Sequence, residues 1–167
     1  MAKTFSLLGT ALSFVFAVPA VAAEGDATAL AAKLKGASVS LQQGLSASAK
    51  SGKPISGKFE LEDGKLQLSV YTAKGDAFSE VIVDHKSGKV VKVEPITSGD
   101  DLTSAKAQNE AMAKANTSLS AAVSRALKGN KGYRAVSATP SMKDGHPTAD
   151  VTLLKGTESK TVSEALD

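Results

Sequence analysis

Phe59-Glu60-Leu61-Glu62-Asp63-Gly64-Lys65-Leu66-Gln67-Leu68 alternates apolar and polar residues on both sides of an Asp-Gly pair. A period of two is the signature of a half-buried strand, and Asp-Gly is a favoured dipeptide for a two-residue type I′ hairpin turn. If Asp63 and Gly64 form the loop, Glu62 faces Lys65, Leu61 faces Leu66 and Phe59 faces Leu68. One face is then apolar, and the other pairs an acid with a base. A slip of one residue would destroy both properties, so the segment specifies its own register.

Working outward, a third strand is expected from Ala77 to Asp84, a turn at Lys86-Ser87-Gly88, and a fourth strand from Lys89 to Glu94 that ends at Pro95. Upstream, Ala27, Leu30, Ala31 and Leu34 fall at helical spacing until Gly36, and Leu41 and Leu45 extend a second apolar face until Gly52 and Pro54. Downstream, Ser98-Gly99-Asp100-Asp101 opens a helical region, where acids suit the positive end of the helix dipole. Leu102, Ala105, Met112 and Ala113 mark its buried side. Asn116-Thr117-Ser118 interrupts it and offers a new N-cap. Leu119, Ala122, Val123, Ala126 and Leu127 then form a regular stripe, which Gly129 closes.

The hairpin recurs. Tyr133 to Met142 reads as a strand, Asp144-Gly145 as a turn, and Ala149, Val151 and Leu153 alternate with polar residues. The same turn geometry sets Ala138 against Val151 and Val136 against Leu153. Pro140 and Pro147 lie near the turn, where a lost ladder bond is tolerable. Asp63-Gly64, Val70, Lys74-Gly75 and Val81 match Asp144-Gly145, Val151, Lys155-Gly156 and Val162 at one offset of 81 positions. Several matches in one ungapped frame point to an internal duplication. The expected fold class is therefore α+β, with two tandem helix-plus-antiparallel-sheet repeats, residues 24–97 and 98–167, and helices packed on the sheets.

Residues 1–23 read as a cleavable secretory signal. Lys3 supplies the charge, Phe5 to Val18 the apolar stretch, and Pro19 followed by Ala20-Val21-Ala22-Ala23 the small-residue exit. The cut fits best after Ala23, with Ala22 close behind. An uncleaved anchor would need roughly 20 apolar residues and would not favour Pro19 and the small exit. The mature chain, roughly 145 residues, is one modest domain or two very small ones. It is expected in the periplasm or secreted, with no membrane span after cleavage.

The 167 residues include no cysteine, which excludes disulfides, thiol catalysis and thiolate metal sites. Aromatic residues make up 4%, so the core must come from Ala, Val, Leu and Ile with a few Phe. The net charge of +3 includes Lys3, the remaining lysines are scattered among acids, and Arg125 and Arg134 are the two arginines. Nucleic-acid binders concentrate such charge on one face, so a solvated mixed-charge surface is expected and no nucleic-acid partner.

A helix, a hairpin with an Asp-Gly turn, and a strand running into Val83-Asp84-His85-Lys86-Ser87-Gly88-Lys89-Val90 together resemble the PepSY domain of exported bacterial proteins. Ser118 to Asp167 looks like a second copy of the unit. The resemblance covers nearly all of the mature chain and rests mostly on turn and core residues. It implies a cell-envelope setting and a role in restraining peptidases, and it brings no set of catalytic residues.

Residue by residue, the chemistry is sparse. His85 and His146 sit at turns and lack the spaced carboxylates or histidines of a metal site. Asp100-Asp101 lacks the pattern of a calcium loop and is explained by helix capping. No G-x-S-x-G elbow, G-x-G-x-x-G or phosphate-binding loop is present, and Ser51-Gly52-Lys53-Pro54 reads as a helix-ending turn. No catalytic residue, cofactor or metal is expected. The expected function is a non-enzymatic binding or regulatory module acting on an envelope protein, the alternative a small-ligand or metal-ion carrier. Thr157 to Leu166 is the candidate contact surface, an edge strand that Lys155 and Lys160 blunt against self-association; the alternative is that this strand pairs inside its own sheet and the tail is frayed.

Overall fold

A computed structural model describes the backbone of residues 20–167 and the side chains of residues 27–167. Residues 1–19 of the expected signal lie outside the described residues. The expected cut after Ala23 falls within the first helix, α1 (Ala20–Leu34). There follow α2 (Leu41–Ser48), β1 (Lys53–Glu62), β2 (Lys65–Lys74), β3 (Ala77–Val83) and β4 (Val90–Ile96). The second half holds α3 (Gly99–Lys114), α4 (Leu119–Lys128), β5 (Arg134–Lys143), β6 (His146–Lys155) and β7 (Glu158–Ala165). Among the described residues no helix is long and apolar enough to cross a membrane.

The class is α+β, but the strands form one antiparallel sheet, ordered β4-β3-β2-β1-β5-β6-β7. Two separate small sheets had been expected. They merge because β1 and β5 pair at Gly57 with Ala138 and Lys58 with Ser137. The small residues at this seam let the backbones sit beneath α2: a Cβ on Gly57 would stand 3.0 Å from Leu45 Cδ2. The seam is short, so Pro140 lies beyond the paired stretch, and its missing amide interrupts no ladder between β1 and β5.

The first hairpin has the register read from its sequence: Glu62 opposite Lys65, Leu61 opposite Leu66 and Phe59 opposite Leu68. Its turn residues both have positive φ, 48° at Asp63 and 73° at Gly64, as a type I′ turn requires. The second hairpin repeats this, with φ of 52° at Asp144 and 84° at Gly145. Ala138 opposes Val151 as expected, but Leu153 is met by Ala135 rather than Val136. Val136 is the extra residue of a β-bulge, and Ile55 holds the same position in β1. A bulge shifts the register by one beyond it, which a uniform alternation cannot anticipate.

Leu68, Val70, Val81 and Val83 of the first hairpin region and Ala138, Val151 and Leu153 of the second are all buried on one face. The α2 and α4 helices cover that face. The fit is close: a Cβ on Gly44 of α2 would lie 2.5 Å from Leu68 Cδ2. Ser40 caps α2 in a capping box with Gln43, and Ser118 caps α4 through Ala121 N. The opposite face receives α3, where the Tyr71 hydroxyl donates to Asp101 Oδ1 at 2.7 Å. The buried residues of α3 are Ala105, Ala111 and Met112, with Leu102 half-buried. Ala113, expected inside, is exposed; alternate alanines in this stretch give no contrast from which to read a face.

The turn glycines provide a direct test of the hairpins. A Cβ on Gly64 or Gly145 would meet nothing within 4 Å, so a substitution acts through backbone strain alone. Gly64→Val and Gly145→Val should each destabilise the protein by roughly 1–3 kcal/mol. Urea unfolding of the two variants reads the effect, and neutrality at both would reject the turn assignment.

Candidate functional site

The least covered element is β4. It begins after a turn that its own side chains fix. Asp84 Oδ1 accepts from Ser87 N at 2.7 Å and from Ser87 Oγ at 2.6 Å. Gly88 N donates to Asp84 O at 2.8 Å, with Gly88 at φ 74°. These bonds, the Ser87 hydroxyl first, hold the Asp84 carboxyl below its ordinary pKa. Thus Asp84-His85-Lys86-Ser87-Gly88-Lys89 is a structural turn.

The strand itself pairs with β3 on one side and is the end of the sheet on the other. Six of its seven residues are exposed. Val90, Val91 and Val93 keep 39%, 64% and 48% of their surface open. Val93 opposes Val81, on the face that α2 covers further in, and a bulge after Ile82 leaves Val91 outside the pairing. On the other face Lys92 and Glu94 form an ion pair at 2.8 Å, and Glu94 lies opposite Glu80. Sequence reading found this strand but ended it at Pro95, which in fact lies inside β4. It also missed that β4 is bare, because edge status belongs to the topology and not to the segment.

The other edge is β7, within the expected contact surface Thr157 to Leu166. Its exposed residues are more polar, Glu158, Ser159, Thr161 and Ser163 with Ala165, while Lys160, Val162 and Glu164 are half-buried. Lys160 and Lys155 lie over the Tyr133 ring, 4.3 and 5.7 Å from its centroid. The chain end is anchored. Leu166 is fully buried, its N–H donates to Pro147 O at 2.9 Å, and its carbonyl accepts from Asn116 N and Thr117 N at 2.7 and 2.9 Å.

Among the concavities beside the helices, two lie against the sheet near its centre. One, about 390 Å³, lies between α2 and the α3–α4 link and is lined by Leu45, Ala49, Pro54, Met112, Ala115 and Leu119 among others. Lys53 Nζ donates to Met112 O at 2.7 Å beside it. The other, about 210 Å³, lies beneath α3 among Ser56, Ser69, Tyr71, Asp101, Gln108 and Thr139. Burial and then Asp101 push the Tyr71 pKa up, so the phenol stays protonated. Ser69 Oγ donates to Glu80 Oε1.

The sequence-flagged residues do not converge. The His85 carbonyl accepts from Ser38 N and Val39 N, and its Nδ1 is buried with no partner among the described residues. His146 Nδ1 lies 2.7 Å from Asp167 Oδ2 at an exposed turn. Asp100 and Asp101 occupy the first turn of α3, and Asp101 receives the Tyr71 hydroxyl. Ser51 and Gly52 form the turn before β1, and Lys53 already belongs to that strand. Among the described residues no three His, Asp or Glu side chains come together as metal ligands.

No protein-family model matches the chain, and no curated protein matches it. Among solved structures, the chain is similar to a Clostridium difficile 630 protein described as a "putative lipoprotein". The two are 12% identical with a TM-score of 0.41, over 71% of this chain and 78% of the other.

Proposed function

We propose that this chain is an exported, non-enzymatic binding or regulatory module of duplicated PepSY-like build, which engages a protein partner of the cell envelope by accepting an extended segment at β4. The observation that carries this reading is the bare edge strand with Val90, Val91 and Val93 exposed. An open edge supplies main-chain donors and acceptors for strand addition, and exposed apolar side chains supply contact area. Restraint of a peptidase fits such a mode, since an extended segment is what a sheet edge holds; it comes from the family resemblance.

The duplicated build, residues 24–97 and 98–167, is supported by geometry that recurs at the offset found in the sequence. The bulges at Ile55 and Val136, the turn residues Asp63 and Asp144, and the positive-φ glycines Gly75 and Gly156 all obey it. Lys53 and Arg134 obey it too, and each reaches carbonyl oxygens at or beyond the end of the other half's first helix. The small-ligand alternative draws on the 390 Å³ groove between α2 and the α3–α4 link.

The test compares the native protein with Val91→Lys/Val93→Lys in affinity capture from envelope extract. Both sites are exposed, so the fold should survive the change. A protein retained by the native form and lost from the variant supports the edge reading. Equal retention by both rejects it, and a co-purifying small molecule in native mass spectrometry would favour the groove.

A further inference from the structure

We propose that the extended segment best matched to β4 is β4 of a second copy, so that two chains join their sheets antiparallel across Val93. The inference rests on the edge reading above and names the occupant. In a pairing centred on Val93, Val93 meets Val93 of the second copy, Val91 meets Pro95, and Lys92 meets Glu94 twice over. Val93, which the single chain leaves 48% exposed, then packs against its counterpart, with the bulge residue Val91 beside Pro95.

The charges select this register. Centring the pair on Lys92 would oppose two lysines, and centring it on Glu94 would oppose two glutamates. A parallel in-register pairing stacks like on like. A half-step shift would turn the copy's valine face to the polar side. Directly opposed like charges are unfavourable and opposite charges favourable on a sheet face. Glu94 adds a further reason, since within its own chain it faces Glu80 of β3 and is paired with Lys92. Lys92 of the second copy brings another cation to that spot.

The same residues favour a second copy over a strand of unmatched charge. A lysine and a proline on an edge strand are common devices against pairing with foreign strands. Against a second copy Lys92 becomes a complement. Pro95 sits near the end of the paired stretch, where one missing amide leaves the centre of the ladder intact. An envelope partner strand would therefore compete with self-association, and its binding would weaken as the protein becomes more concentrated.

The chain has no cysteine, so a single introduced thiol reports cleanly. Under mild oxidation Val93→Cys should form a disulfide-linked dimer, while Lys128→Cys on exposed α4 stays monomeric. Sedimentation should find the native protein dimeric. Lys92→Glu alone and Glu94→Lys alone should be monomeric, and an equimolar mixture of the two should dimerise, because the swap restores both opposite-charge pairs. A native protein that stays monomeric with no Val93→Cys crosslink overturns the proposal, as does a Lys92→Glu variant that dimerises like the native. If that monomer still loses its captured partner on Val91→Lys/Val93→Lys, only the second-copy assignment falls. If it keeps the partner, the edge reading falls as well.

Discussion

Leu166→Ala should cost about 2–5 kcal/mol, and removal of Ser159 to Asp167 should leave no cooperatively folded protein. Leu166 is fully buried. Truncating a buried leucine forfeits its transfer energy and leaves a cavity that neighbours only partly refill. The backbone at this residue matters as well. Its N–H and C=O join Pro147 of β6 to Asn116 and Thr117 of the α3–α4 link, so the truncation would also strip β7 from β6 and free the link. Chemical denaturation followed by circular dichroism measures both. A Leu166→Ala variant within a few tenths of a kcal/mol of the native would show the tail to be a loose end, contrary to its burial.

The difference between what the sequence discloses and what it hides follows the reach of each interaction. The Phe59 to Leu68 hairpin is legible because turn, register and face are all decided within ten residues of one another. The helix cap at Ser118 is legible for the same reason. The bulges at Ile55 and Val136 are not, since an apolar residue inside an apolar strand looks the same whether paired or extra. The joining of two expected sheets into one depends on Gly57 meeting Ala138. Nothing near either residue announces it beyond their small size. The candidate site belongs to this second kind. Val-Val-Lys-Val-Glu at positions 90–94 reads as an ordinary strand, and only the strand order reveals that no described strand lies on its far side. The anchored tail was hidden for a different reason. A single leucine carries no period from which to infer burial.

Arg134→Met should destabilise the protein by roughly 2–4 kcal/mol, a large effect for one partly exposed side chain. The guanidinium is the latch between the halves. Its Nη1 donates to Leu34 O at 3.1 Å and Ala37 O at 3.2 Å, and its Nη2 donates to Val39 O at 2.6 Å. These carbonyls lie at the end of α1 and along the link to α2, and Leu34 O also accepts from Ala37 N at 3.0 Å. The cation also sits 5.0 Å from the Phe59 ring centroid, a cation–π contact. Burial lowers the Arg134 pKa, but an arginine so placed stays charged at any working pH. Methionine keeps much of the stem's packing and loses all three charged donors, which isolates their contribution. Lysine offers a point charge in place of a planar fork and cannot span three carbonyls, so Arg134→Lys should fall between methionine and native. Lys53→Met, which removes one bond to Met112 O, should cost less, on the order of 1 kcal/mol. Hydrogen exchange supplies the local readout. Loss of the latch should speed exchange at Val39, whose amide bonds His85 O, before it affects Leu68 or Val151 in the sheet. If Arg134→Met and Arg134→Lys both match the native in stability and leave exchange at Val39 unchanged, the latch is not what holds α1 and its link to the second half.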